Sequence, residues 1–279
     1  MSMICPNCGA EINENSKFCE YCGAKMQLAA QPPVQAETAA QLAETAGTAA
    51  LVLGKAARRQ RLEADYTGVT ELSGRAYNLI LCAVVLWGLL VNAALCYTVG
   101  DIYRVINPIL FFILYFVLVI AGSAIAAKSH NPLVSFLGYN MIVVPLGLVL
   151  STLVYAYGGV RAEVVGSAFV YTALVCAGML CAVLAFPELF QRLGGALLGC
   201  LMGVLLCEVV LLLFGVGQRL TDWIVAGLFS LYIGYDIYRS QQFVKTVDNA
   251  VDCALDIYLD IVNLFIRLLR ILGRSERKR

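Results

Sequence analysis

The chain has 279 residues, 60% of them hydrophobic and only 14% charged, with a mean hydropathy of +0.78 and a formal net charge of +1. Soluble domains carry about 25% charged residues, so a water-soluble globule is excluded and an integral membrane protein is expected. The near-zero charge gives no reason to expect a nucleic-acid partner, and the polar N-terminus lacks the basic start and apolar run of a signal peptide.

The first 26 residues read as a compact cysteine module. Cys5-Pro6-Asn7-Cys8-Gly9 and Cys19-Glu20-Tyr21-Cys22-Gly23 are two near-identical knuckles separated by ten residues. Four thiolates in two such turns can surround one Zn²⁺ tetrahedrally, at about 2.3 Å per bond. A unit this short cannot bury a core of its own, so bound metal supplies its folding energy. Cysteine fills every coordination position, so Cys5, Cys8, Cys19 and Cys22 predict a structural zinc rather than a catalytic one. The pattern resembles the short zinc ribbons at the ends of many bacterial membrane proteins. Reduced thiols agree with a cytoplasmic N-terminus.

Residues 27–74 are rich in Ala, Gln, Thr and Glu, are poor in aromatic and branched core formers, and read as a flexible linker. Gln41 to Glu63 could form a helix on the membrane surface, with Lys55, Arg58, Arg59 and Arg61 near anionic headgroups. Seven hydrophobic segments follow: Tyr77–Val99, Val105–Ala127, Leu133–Tyr157, Val164–Phe186, Leu193–Val216, Trp223–Val244 and Ala250–Leu272. Each has the roughly 20 residues that a bilayer crossing needs. The expected architecture is therefore all-α: a seven-transmembrane-helix bundle over residues 75–273, with a basic tail at 274–279 and the zinc ribbon in front. Short connections leave the lipid bilayer as the main partner, and the chain is read as a monomer in the plasma or inner membrane. The basic residues before the first span put the N-terminus in the cytoplasm, although seven crossings then carry the basic tail outside, against the same rule. Cys82, Cys96, Cys176, Cys181, Cys200, Cys207 and Cys253 have no paired spacing and are expected to be small buried hydrophobes.

The last two segments hold the chemistry. Asp236 and Asp260 lie 24 residues apart inside them, and a carboxylate within a span is costly unless it faces a cavity or a partner. A hairpin turning at Asp248 would put both at nearly one depth, roughly 14–18 Å from the turn at 1.5 Å rise per residue. Neighbouring helices pack with axes about 8–10 Å apart, so two inward-facing carboxyls could touch. In a low dielectric both cannot readily ionise, and they titrate as a coupled pair. One shared proton holds the helices together; its loss sets two like charges against each other and offers oxygen ligands that suit Ca²⁺. Asp256, Asp260, Asn263 and Arg267 recur at spacings of four, three and four, a polar stripe that makes the last helix central to the bundle. Asp256, one turn nearer the entrance, is either part of the pathway or headgroup-level polarity. Glu208 reads as a satisfied interhelical hydrogen-bonder or as a member of the ion pathway. Asn92 and Asn140 are expected to bond between helices, and His130, the only histidine, to be a solvated loop residue.

Ala254-Leu255-Asp256-Ile257-Tyr258-Leu259-Asp260-Ile261-Val262-Asn263-Leu264-Phe265 resembles the C-terminal signature of the Bax inhibitor-1 (transmembrane Bax inhibitor motif, YccA-like) family. Phe229-Ser230-Leu231-Tyr232-Ile233-Gly234-Tyr235-Asp236 is similar to that family's preceding helix. The resemblance implies seven helices around a central last one and a pH-sensitive aspartate latch, here Asp236 and Asp260, on a calcium-leak pathway. An arginine near the end of the second helix joins the latch in a bacterial member; here that helix ends Ala126-Ala127-Lys128-Ser129-His130, which makes Lys128 the counterpart. Some relatives modulate a membrane-bound ATP-dependent protease or cell-death proteins. A regulator of a protease or stress response, with the zinc ribbon docking a protein partner, is therefore the alternative. A remoter one is an intramembrane aspartyl protease, but its Gly-x-Gly-Asp and Pro-Ala-Leu motifs are absent. No nucleophile–base pair or phosphate-binding loop appears, so no enzymatic activity is expected.

Overall fold

The computed structural model describes residues 71–214 and 219–276, together with 2–4, 11–13 and residue 62. The chain divides into two compact units, Met1–Gln41 and Leu42–Arg279. In the first, β1 (Ser2–Ile4) and β2 (Glu11–Asn13) pair antiparallel, with Ser2 opposite Asn13 and Ile4 opposite Glu11. The connection between these strands is the stretch that holds Cys5 and Cys8. The four thiols of Cys5, Cys8, Cys19 and Cys22 lie outside the described residues.

The second unit is helical: α1 (Gly74–Thr98), α2 (Pro108–Lys128), α3 (Pro132–Ala156), α4 (Glu163–Ala185), α5 (Pro187–Leu213), α6 (Arg219–Ser240) and α7 (Val247–Glu276). A single 3₁₀ turn, Ile102–Arg104, sits between α1 and α2. Each helix coincides with one of the seven hydrophobic segments, but capping chemistry sets the ends. Asn-Pro occurs twice: the Asn107 and Asn131 side chains accept from the amides of Ile109 and Leu133, while Pro108 and Pro132 open the helices. Asparagine satisfies an orphan N–H, and proline there loses no helical bond. Ser73 caps α1 in the same way.

Hydropathy alone misplaces the final hairpin. Its connection is residues 241–246 rather than Lys245–Asn249, because Thr246 Oγ1 accepts from the Asn249 amide and Asn249 Nδ2 donates to the Val244 carbonyl. These bonds start α7 before the apolar run begins, so Asp248 and Asn249 are helical. A midpoint at Asp248 therefore no longer sets the relative depths of Asp236 and Asp260.

Helices α1 to α4 are long and apolar enough to cross a bilayer. Helix α5 joins them if Pro187–Gly194 and Ala196–Leu211, bent by 54°, act as one broken span. Helices α6 and α7 carry charged residues, and the protein itself encloses Asp222, Asp236, Asp260 and Arg267 among them. Every residue from 248 to 260 is buried, and α7 packs against α1, α3, α4 and α6. The last helix is thus the central one, as its polar stripe requires. Outward faces carry Leu79, Ile109, Leu133, Phe169 and Leu184, all exposed, as hydrocarbon solvent permits. The same reasoning corrects the cysteines: of the seven in the helices, Cys253 is buried and Cys96 and Cys176 are half-buried, whereas Cys82, Cys181, Cys200 and Cys207 lie on helix surfaces. A small apolar thiol costs nothing facing lipid.

Close approach between α2 and α3 depends on two glycines. A Cβ on Gly122 would meet the Gly138 carbonyl oxygen at 2.7 Å, and one on Gly138 would meet the Gly122 oxygen at 2.8 Å. Leu62, the one described residue between 14 and 70, is helical and buried in the core of this unit.

Hydrogen bonds identify the two ends of the bundle. At one, Ser135 at the start of α3 donates to Asp248 at the start of α7 (2.6 Å), and Gln241 after α6 donates to Asn78 in α1 (3.0 Å). At the other, Ser151 near the end of α3 donates to the Leu95 and Gly100 carbonyls. We call these the Asp248 end and the Ser151 end.

Candidate functional site

Helix α7 carries an uninterrupted polar stripe from end to end. Asp248, Asp252, Asp256, Asp260, Asn263, Arg267, Arg270 and Arg274 recur every three or four residues, the spacing that lines one helix face. All but Arg274 are at least nine-tenths buried. The helix dipole favours the two ends of this order, Asp248 in the first turn and Arg274 in the last.

Asp236 lies four residues before the end of α6 and is 5% exposed, while Asp260 is near the middle of α7 and 3% exposed. The two helices pack against each other. Their register is fixed at the Ser151 end, where the Asp222 carboxylate of α6 meets Arg267, Arg270 and Arg274 of α7 at 2.9, 3.7 and 2.5 Å. Asp236 is fourteen residues beyond Asp222. Counting fourteen residues back along antiparallel α7 brings it level with residues 253–260, the stretch that holds both Asp256 and Asp260. Asp256, Asp236 and Arg239 lie near enough to the Cys253 thiol to act on it through their charges. Cys253 also lies beside Tyr77 of α1.

Lys128 is the last residue of α2 and is exposed. It shares the Asp248 end, since only residues 129–131 separate it from α3. His130 is exposed in that same connection. Arg239, one turn after Asp236, is half-buried, donates to the Tyr235 hydroxyl at 2.7 Å and stacks over Phe243. It places a cation closer to the acids than sequence reasoning foresaw.

Glu208 belongs elsewhere. Its two oxygens accept from both terminal nitrogens of Arg267, at 2.5 and 2.9 Å, and Arg267 also donates to Asp222 at 2.9 Å. Glu208 and Asp222 are fully buried and Arg267 is 1% exposed. One guanidinium thus ties α5, α6 and α7 together about 10 Å along α7 from Asp260, seven residues at 1.5 Å each. Glu208 has the interhelical partner expected of it. Asp222 was missed because it precedes the apolar segment beginning at Trp223, and Asp248 was read as the turn because hydropathy cut the last segment at Ala250; Asp252, inside that segment, extends the same four-residue repeat. The four-residue repeat of aspartates was the signal that extends the stripe.

Asparagine also bonds between helices as expected. Asn92 of α1 donates to the Tyr258 hydroxyl of α7 at 2.7 Å, and Trp87 of α1 donates to Asn140 of α3 at 3.0 Å. Tyr258 packs on Tyr139 with ring centroids 5.6 Å apart, and the Tyr139 hydroxyl donates to the Val84 carbonyl. Among the described residues no three His, Cys, Asp or Glu side chains are grouped to hold a metal ion.

The comparisons agree with this architecture. A family profile described as inhibitor of apoptosis-promoting Bax1 matches residues 71–277, and one described as a zinc-ribbon domain matches 4–26. An uncharacterised membrane protein of Streptococcus pyogenes serotype M1 is 29% identical over 185 residues, covering 61% of this chain and 77% of that protein. An uncharacterised protein of Helicobacter pylori is 37% identical over 87 residues, or 29% of this chain and 36% of that protein. Protein LIFEGUARD 3 of Arabidopsis thaliana is 34% identical over 91 residues, 32% of this chain and 36% of its own length. The match therefore spans little more than a third of the Helicobacter and Arabidopsis relatives. With a profile covering the whole helical unit and its central acidic helix, the chain belongs to the Bax inhibitor family of membrane proteins and carries a zinc-ribbon domain ahead of it.

Proposed function

We propose that the helical unit is a proton-controlled cation leak, with Ca²⁺ as the permeant ion and Asp236 and Asp260 as its latch. One observation carries the reading: two carboxylates, both at least nine-tenths buried, on two helices that pack against each other. A shared proton keeps α6 and α7 together. Its loss leaves two like charges, whose repulsion at 4 Å is about 4 kcal/mol at an effective dielectric near 20. Asp256 extends the oxygen-rich stretch by one turn, and Lys128 supplies positive charge at the Asp248 end. All seven helices cross the bilayer in this reading, the N-terminus is cytoplasmic, the chain works as a monomer, and no enzymatic step is involved. Proteoliposomes of the purified protein should release Ca²⁺ faster as pH rises through the titration of the pair; a rate equal to empty vesicles at every pH rejects the reading.

The zinc-ribbon match supports a second reading, a regulator whose ribbon docks a protein partner. Cys5, Cys8, Cys19 and Cys22 hold one structural Zn²⁺ in this account. Elemental analysis should find one zinc per chain, lost on substituting any two of these cysteines with serine, while the helical unit keeps its thermal transition. Deleting residues 1–41, the first compact unit, spares Leu62 and its core contacts. Loss of cellular function with Ca²⁺ flux intact would favour docking over leak.

A further inference from the structure

The polar stripe of α7 does not stop at the aspartates. A cation that follows it from the Asp248 end passes Asp252, Asp256, Asp260 and Asn263, and then meets the Arg267 guanidinium on the same face. That guanidinium is 1% exposed and held on three helices at once, by both oxygens of Glu208 on α5 and by Asp222 on α6. Arg270 and Arg274 add two more positive charges beside Asp222, at 3.7 and 2.5 Å. Among the described residues the cluster sets three guanidiniums, that of Arg274 partly exposed, against two carboxylates, and like charge repels most strongly where the dielectric is low, as around the buried Arg267. Its elements come from α5, α6 and α7, so it closes the stripe by joining helices as well as by charge.

We propose that Arg267, locked by Glu208 and Asp222, is a second gate of the leak, in series with the aspartate latch and separate from it. Arg267 is the plug, and Glu208 and Asp222 are positioning residues that hold it across the route. This rests on the leak reading of the aspartates, but it predicts a different signature. Two gates in series multiply: opening the arginine gate raises flux only where the latch is already open, and leaves the pH midpoint where it was.

The test uses the full chain in Ca²⁺-loaded vesicles, with flux normalised to folded protein. Glu208→Gln combined with Arg267→Gln removes one charge of each sign and keeps hydrogen-bonding groups at both positions, so folding is preserved better than in either single variant. The double variant is expected to raise alkaline flux about tenfold, equivalent to about 1.4 kcal/mol off the barrier, with no change in midpoint and no flux at acid pH. In Arg267→Ala, added guanidinium ion should refill the space between Glu208 and Asp222 and lower flux again, whereas it leaves wild type unchanged and the larger tetramethylammonium does nothing. Unchanged flux per folded protein in the double variant overturns the gate and makes the cluster purely structural. A shifted midpoint also overturns it, by making Arg267 part of the latch. Absence of flux in wild type and variants alike removes the leak reading, and the second gate with it.

Discussion

Asp236→Asn and Asp260→Asn proteins are expected to lose the rise of Ca²⁺ flux with pH, retaining at alkaline pH no more than about a tenth of the wild-type rate. The sign follows from the charges. In the wild type, acid supplies the proton that the two carboxyls share, so the hairpin is closed; alkali removes it, and repulsion separates α6 from α7. An asparagine at either position cannot ionise, so the pair never carries two negative charges. Its amide still donates to the remaining carboxylate, which keeps the helices joined across the pH range. Wild-type pH dependence in both variants would remove these residues from the mechanism. Asp256→Asn is the internal control: a group one turn away should alter the rate without abolishing the response. Flux against pH, followed with a trapped calcium dye, reads all three.

The largest loss of stability is expected from Arg267→Met. That change leaves Glu208 ionised and buried, its guanidinium fork gone, with both residues almost entirely out of solvent in the native protein. Breaking a buried ion pair by removing one partner costs about 3–5 kcal/mol. Glu208→Leu together with Arg267→Met removes both charges and should cost far less, because each charge's desolvation penalty disappears with it. Asp222 keeps Arg274 at 2.5 Å in either case. Thermal unfolding in mild detergent should therefore rank wild type and double variant above the single one. If the single variant melts like wild type, the pair is not ionised in the folded protein.

The helices were legible because apolar runs long enough to span are hard to hide: seven segments became seven helices, with ends shifted by a few residues. Those shifts have local causes. Asn107-Pro108 and Asn131-Pro132 are start signals, and Thr246 with Asn249 begins α7 inside a stretch that hydropathy assigns to a loop. The acidic stripe was half legible, since its aspartates repeat every four residues but its first, Asp248, lies outside the apolar window. Arg239 gave no signal, because an arginine near a helix end reads as interfacial polarity wherever its side chain goes.

What residue order settles here is class and composition of the core. Too few charges for water, seven spanning-length runs, paired CxxC knuckles and the Asp256–Asn263 stripe lead to a membrane bundle with a polar central helix and a zinc ribbon ahead of it. Which charges meet lay beyond it. Glu208, Asp222 and Arg267 come from three helices and are separated by 14 to 59 residues, and no local pattern links them. Their pairing follows from the packing of α6 on α7 and of α5 on α6, since a buried charge must find its opposite among whatever groups the neighbouring helices bring to the same depth.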